Sequence, residues 1–395
     1  MFFPSMFKTI YLLLIKCWST LVRKKEPVNV VYLLSFSGNE DFITRLAERI
    51  KQESGRHFTV FYRGNCGASA TLLKQRNVNC IKFADDLKFV FQQLKKIMGA
   101  QLIFVDNYFA FLGGCAFDHK KTTVVQLWHA NGAVKTFGWE EPRTKERSVS
   151  DKKRFQKVYD QFDDFVVGST KMGEVFCNSY HQPSDKMKVL GYPRTDQLFA
   201  KDKKLQKRRQ IFAAHPELKN KEIILYAPTY RETVAGKIYF DLPQNFIRML
   251  AGLNPEQTMI LKLHPLVQPI INQLKAQDLP HVVWVDDFST EDLLLVSQRL
   301  ITDYSSVIFD YTLLENAQQI VFYCYDYEEY AQIVGIQHDF AEWAPGKIVT
   351  NTTQLKNILA VPLRRTDFTA FNHLWNKFND GHSSQHVLEK YFYGN

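Results

Sequence analysis

The strongest constraint on the fold is a series of short apolar runs, apolar at consecutive positions and separated by helical stretches. In the first half they cover 28–35, 58–62, 101–106, 124–129, 164–167 and 188–191; in the second, 222–227, 258–264, 281–285, 299–302 and 320–325. The runs are rich in Val, Ile, Phe and Tyr, and several lack polar alternation, as strands buried on both faces of a parallel sheet do. Strands alternating with helices over 395 residues predict two doubly wound α/β units. Hydrophobic residues make up 45% of the chain, ample for two cores, so intrinsic disorder is excluded. The basic stretch KDKKLQKRR, 201–209, separates the units; it holds neither Gly nor Pro and reads as a solvated helix. The expected division is an N-terminal segment 1–26, a first domain 27–199 and a second domain 200–395.

Ligands of open parallel sheets bind beyond the carboxyl ends of the strands. Here those ends deliver His129 with Asn131 and Gly132, then Gly191-Tyr192-Pro193-Arg194, Pro228-Thr229-Tyr230-Arg231, Lys262 with His264, and Asp303-Tyr304-Ser305-Ser306. Two facing sheets of this kind would enclose a cleft lined with cations and hydroxyls. Ser305 and Ser306 precede an apparent helix start, where free N–H groups bind phosphate oxygens. Arg194 and Lys262 suit a pyrophosphate, with Lys135 and Arg231 as further cations. His129 and His264 are suited to work as general base, acid or phosphate donor near neutral pH.

Several chemistries are not indicated. There is no GxGxxG for a dinucleotide, no GxxxxGK[ST], no HExxH and no GxSxG. Cys17, Cys66, Cys80, Cys115, Cys177 and Cys324 have no metal-type spacing and read as reduced thiols of a cytosolic protein. Neither a cofactor nor a metal site is expected; the pairs Asp85-Asp86, Asp163-Asp164 and Asp286-Asp287 read as solvated loops.

The net charge of +9 calls for an anionic partner: nucleic acid, a phosphorylated substrate or an acidic membrane. No nucleic-acid motif supports the first. The opening MFFPSMFKTIYLLLIKCWSTLVRKK is too interrupted by lysine to span a bilayer and lacks a small-residue cleavage site. As a helix it places Phe3, Phe7, Ile10, Leu14, Trp18 and Leu21 on one face and Lys8, Lys16 and Arg23 on another, with Lys24 and Lys25 following. That is the pattern of an amphipathic helix lying in a membrane interface; the alternative is a helix docked on the protein's own core.

The segments WHANGAVKTFG (128–138), GYPRTD (191–196), ILYAPTYRE (224–232), LKLHP (261–265) and ITDYSSVIFDY (301–311), with YCYDYEEY (323–330) more loosely, occur in one order. Together they resemble the CDP-glycerol glycerophosphotransferase family of teichoic acid biosynthesis. The resemblance implies a GT-B-like fold with its active site between two Rossmann-like domains. It implies that CDP-glycerol is bound by His129, Ala130, Asn131, Gly132, Ala133, Arg194, Pro228, Thr229, Lys262, Leu263, His264, Ser305, Ser306 and Asp310, with His129 and His264 catalytic.

The family's polymerases usually read HGTPLK where this chain reads HANGAVK, and those of the glycerol type often carry a long N-terminal extension. Both departures resemble the primase branch. That branch implies an undecaprenyl-diphosphate-linked N-acetylmannosaminyl-N-acetylglucosamine acceptor and a peripheral protein on the cytoplasmic leaflet. Lys262 stands where the polymerases usually have Arg, which keeps the charge and loses a bidentate donor. The competing expectations are a poly(glycerol phosphate) or ribitol-phosphate polymerase, and a GT-B nucleotide-sugar glycosyltransferase.

Overall fold

The computed structural model describes residues 5–233, 237–277 and 279–393. The chain forms two compact units. The first comprises Met1–Asn131, Gly138–Asp196 and Lys377–Asn395; the second comprises Gly132–Phe137 and Gln197–Asn376. The main break after Asp196 lies beside the basic stretch, while two shorter segments change unit.

The first unit holds β1 (Asn29–Leu34), β2 (Phe58–Tyr62), β3 (Cys80–Lys82), β4 (Ala100–Val105), β5 (Thr123–Gln126), β6 (Asp164–Val167) and β7 (Met187–Val189). They form one parallel sheet in the order β3-β2-β1-β4-β5-β6-β7. Val30 on β1 pairs with Phe58 on one side and Leu102 on the other, so β1 is covered along both edges. Both faces are covered too, which is why β1 from Val30 and β4 from Leu102 read as unbroken apolar runs. Val30, Tyr32 and Leu34 join Phe42, Leu46, Phe104 and Val387 in one buried cluster.

The second unit holds β8 (Glu222–Tyr226), a short antiparallel pair β9 (Arg231–Glu232) and β10 (Ile238–Tyr239), then β11 (Gln257–Leu261), β12 (Val282–Val283), β13 (Arg299–Thr302), β14 (Gln319–Tyr323) and β15 (Lys347–Val349). Its parallel sheet has the order β12-β11-β8-β13-β14-β15. Each sheet therefore winds outward in both directions from its first strand, and the order reverses between β1 and β4 and between β8 and β13. The strands β3 and β15, absent from the sequence reading, are edge strands of three residues, too short to show a pattern.

The basic stretch is part of the helix Lys201–Ala214, whose one buried residue is Ile211; it is solvated as expected and is not a linker. The N-terminal helix Ser5–Val22 belongs to the first unit. Its inner face carries Ile15 and Ser19, both fully buried. Ser19 Oγ accepts the Ala116 N–H at 3.0 Å, and Trp18 packs edge-on against Phe91. Ile15 lies so close to Gly114 that a Cβ there would fall 3.0 Å from it. Met6, Phe7, Ile10, Leu13 and Leu21 are more than half exposed on the outer side. The helix is thus apolar on two sides, one docked and one free. The expected single apolar face is divided between them: Trp18 turns inward while Phe7, Ile10 and Leu21 turn outward. Phe3 lies outside the described residues. Among the described residues no helix is long and apolar enough to cross a membrane. All six cysteines are free, with Cys66, Cys115 and Cys324 buried and Cys17 exposed.

Candidate active site

In the first unit the expected residues gather where the strand order reverses. β5 ends at Gln126, and Trp128 then takes a left-handed backbone conformation, φ 59°, rare for a bulky residue and frequent near functional sites. The Gln126 Oε1 holds this turn by accepting the Trp128 N–H at 2.8 Å. The turn brings His129 over the end of β4. Its ring stacks on Phe36, centroids 4.0 Å apart and planes at 13°, with Trp128 4.2 Å away.

His129 Nδ1 lies 3.2 Å from the carbonyl oxygen of Asp106. A carbonyl only accepts, so Nδ1 carries the proton and Nε2 of the neutral ring keeps its lone pair. Burial pulls the His129 pKa down to about 4; Arg194 adds to this and the Asp106 carbonyl opposes it. At neutral pH the ring is therefore an uncharged acceptor, as a general base must be.

Arg194 comes from the turn after β7. Gly191 has φ +79°, and a Cβ there would fall 2.2 Å from the Phe378 carbonyl oxygen. The Tyr192 N–H donates to Asn379 Oδ1 at 2.8 Å, and Asp196 accepts the N–H groups of Ser383 and Ser384 at 2.9 Å each. The returning C-terminal segment thus clamps the GYPR turn. Asn131 is fully buried and accepts from Asn379 Nδ2 at 3.4 Å, so its amide serves the interior of the unit; Ala130 beside it is half-buried.

The second unit gathers the rest at its own reversal point. Thr229, after β8, donates from both its N–H and its hydroxyl to Asp303 Oδ1 at 2.9 Å. Arg231, only 4% exposed, donates to Asp303 Oδ2 at 2.8 Å and to both carboxylate oxygens of Asp326. Its guanidinium is consumed by two acids and is a structural ion, not the free cation the sequence reading allowed. Pro228 and Leu263 are buried. Lys262 donates from Nζ to the carbonyls of Val285 and Phe288, at 2.9 and 2.6 Å. Its ammonium stitches the loop after β12 to the end of β11, and burial lowers its pKa.

His264 is exposed, and its Nδ1 accepts the Leu266 N–H at 3.2 Å. The neutral ring therefore carries its proton on Nε2 and presents a donor, the opposite tautomer to His129. Partial desolvation of the ring, then the charge of Lys135, lowers the His264 pKa. Lys135 arrives on the strip Gly132–Phe137, which bridges antiparallel to Ile336; the Gln337 N–H donates to the Val134 carbonyl at 2.9 Å. Within the strip, Ala133 is buried and Gly132 lies against Phe309, where a Cβ would fall 2.5 Å from the ring. The Gly132 position is thus dictated by packing.

Ser305 and Ser306 precede the short helix Val307–Tyr311. Ser305 Oγ accepts the Val307 N–H at 3.4 Å, while the Ser306 hydroxyl makes no capping bond. The expected serine cap is therefore the first of the two. Asp310 is buried on the same helix. Sequence reasoning placed Asp303 and Trp128 beside the expected residues without giving them a part, and it missed Phe36 and Asp106 at the site. The one signal for Asp106 and Asp303 was an acid directly after an apolar strand.

Residues 20–393 match the family model described as CDP-Glycerol:Poly(glycerophosphate) glycerophosphotransferase. A teichoic acid glycerol-phosphate primase of Bacillus subtilis (strain 168) is 30% identical over 364 residues, 92% of this chain and 91% of the relative. A teichoic acid ribitol-phosphate primase of Bacillus spizizenii is 27% identical, covering 87% and 85%. A solved structure of the wall teichoic acid polymerase TagF, soaked with CDPG, superposes with a TM-score of 0.70 at 18% identity, covering 98% of this chain and 97% of that one. That likeness shows the fold, which is GT-B-like with two Rossmann-like units. The chain belongs to the CDP-glycerol:poly(glycerophosphate) glycerophosphotransferase family and is an enzyme of CDP-glycerol phosphotransfer.

Proposed function

We propose that this enzyme is a teichoic acid primase. It transfers one glycerol phosphate from CDP-glycerol to undecaprenyl-diphosphate-linked N-acetylmannosaminyl-N-acetylglucosamine and releases CMP. The observation that carries the catalytic assignment is the opposite tautomer of the two histidines. An acceptor-sugar hydroxyl attacks the phosphorus bearing glycerol. The new O–P bond forms as the bond from that phosphorus to the CMP oxygen breaks. His129 Nε2 takes the hydroxyl proton, and the His264 Nε2–H donates to a phosphate oxygen as charge shifts toward CMP. Arg194, Lys135 and the Ser305-Ser306 segment add positive potential for the same phosphates. Such chemistry rests on positioning and electrostatic stabilisation. The primase assignment over a polymerase rests on the HANGAVK motif and on the name of the Bacillus subtilis relative.

The acceptor is amphiphilic, and the free apolar side of the N-terminal helix gives the enzyme a way to reach it. Met6, Phe7, Ile10, Leu13 and Leu21 enter the headgroup region of the cytoplasmic leaflet, with Lys16 and Lys25 toward anionic lipid. The enzyme is then a peripheral protein of the cytoplasmic membrane face.

Incubation with CDP-glycerol and a synthetic lipid-linked disaccharide, scored by CMP release and product mass, tests the reading. One added glycerol phosphate is expected. A ladder of products makes the enzyme a polymerase, preference for CDP-ribitol makes it a ribitol-phosphate transferase, and product without added phosphorus makes it a glycosyltransferase.

A further inference from the structure

One residue at the end of β4 reaches His129 by two routes. The main chain of Asp106 accepts the His129 Nδ1–H. Its carboxylate is fully buried and accepts from the loop after β1: the Ser35 N–H at 2.9 and 3.0 Å, the Ser35 hydroxyl at 3.0 Å and the Phe36 N–H at 3.0 Å. That loop is further held by Asn65, whose amide donates to the Ser35 carbonyl at 2.8 Å. Phe36, fixed by its own N–H, lays its ring flat on the imidazole. The acid sits in the interior of the unit, where Tyr32 and Cys66 face it, and Arg194 is the charged group that faces the imidazole.

We propose that Asp106 and Phe36 are positioning residues of the phosphotransfer: together they hold His129 in the Nδ1–H tautomer, with Nε2 free to take the acceptor's proton. The Asp106 carbonyl selects the tautomer, and the Asp106 carboxylate places Phe36 so that the ring cannot swing off that bond. Neither touches substrate in this scheme. A buried carboxylate with three donor groups is a rigid anchor, and a rigid anchor is what an orientation-dependent base requires. The proposal rests on the reading of His129 as base, but its structural half does not depend on any substrate.

The test uses the full-length enzyme labelled with ¹³C,¹⁵N-histidine. Phe36→Ala, Phe36→Tyr, Asp106→Asn and the Phe36→Ala/Asp106→Asn double variant are compared by histidine tautomer NMR and by steady-state kinetics. Phe36 is 39% exposed, so its truncation removes the stack and little of the core. In the unsubstituted enzyme His129 is expected as a single Nδ1–H tautomer. In Phe36→Ala it becomes a mixture, kcat falls about 10–100-fold and the KM for CDP-glycerol stays within about threefold, as for lost orientation without lost binding. Phe36→Tyr keeps the stack and recovers most of kcat. The double variant loses no more than the worse single variant, because both act through one imidazole.

A single Nδ1–H tautomer that persists unchanged in Phe36→Ala overturns the proposal, as do fully multiplicative losses in the double variant. Should Asp106→Asn fail to fold, Phe36→Ala and Phe36→Tyr still decide it. If the unsubstituted enzyme shows no CMP release from CDP-glycerol, the functional reading fails, while the tautomer comparison still supports or overturns the positioning role.

Discussion

His264 takes the Leu266 backbone N–H on its Nδ1 at 3.2 Å. That bond fixes which nitrogen faces outward with a proton, so a side chain able to present an N–H from the same distance should partly replace it. His264→Gln is expected to keep turnover within about tenfold of the original, because its amide donates from near the Nε2 position. His264→Ala, which has no donor, should lose about 10²–10³-fold in kcat, the scale of one lost donor to developing charge. Equal losses in the two variants, measured as CMP release, would remove the donor role.

Burial holds His129 neutral, and this has a sign in pH. The folded pKa of about 4 lies below the ordinary 6.5. Between those values the unfolded chain binds a proton that the folded chain does not, so this contribution is intact above about pH 6.5 and is lost as pH falls toward 4. His129→Gln lacks it. Urea unfolding should show the unsubstituted enzyme losing roughly 2 kcal/mol more than His129→Gln between about pH 7.5 and pH 5. Parallel losses in the two proteins would mean that the ring titrates normally.

Arg231 is the counter-ion of Asp303 and Asp326 in the interior of the second unit. Arg231→Met leaves the buried Asp303 and the half-buried Asp326 without their counter-ion and should cost about 3–5 kcal/mol in urea unfolding. Arg231→Lys should lie between, since one ammonium cannot fork to both acids. A loss under about 1 kcal/mol in Arg231→Met would return Arg231 to the set of free cations.

Gly132 faces the fully buried ring of Phe309, which itself packs on Phe371 and Trp375. Gly132→Ala should destabilise by about 1–3 kcal/mol through overpacking. Adding Phe309→Leu makes room and should restore part of the loss, read as the change in thermal midpoint. No recovery in the double variant would place the requirement for glycine elsewhere.

The two-sided N-terminal helix separates lipid binding from stability. Ser substitutions at Ile10, Leu13 and Leu21, all more than half exposed, should weaken flotation with anionic vesicles while the thermal midpoint stays put. Ile15→Ser, on the docked side, should lower the midpoint. Undiminished flotation of the triple variant would count against the anchor. Removal of the whole helix is the poorer test, because it also strips the cover from Gly114.

Both sheets were legible because parallel strands buried on two faces leave unbroken apolar runs, as 222–227 does for β8. The strand-end rule likewise located His129 and Thr229, since position after a strand is a local property. Pairings over long sequence distance were not legible. Arg231 looks like a phosphate ligand until Asp303 and Asp326 are seen around it, and the bonds of Lys262 to the Val285 and Phe288 carbonyls were equally out of view. Phe36 and Asp106 carry no motif; only the adjacency of β1, β4 and β5 makes them neighbours of His129. The helix Ser5–Val22 misled in another way: its wheel has two apolar sides, and a single amphipathic face cannot describe both.

The segment Lys377–Asn395 belongs to the first unit, with Val387 and Leu388 inside its core. On the ribosome this inverts the usual order of completion. Although the first 131 residues emerge earliest, the unit they begin waits until the intervening Gln197–Asn376 has been translated, on the order of 10–40 s at about 5–20 residues per second. During that interval the Val30–Tyr32–Leu34 face of β1 lacks part of its cover, and the GYPR turn lacks its clamp. The second unit is therefore the one that can finish first, and the turn that carries Arg194 is clamped only once the segment 377–395 has been made.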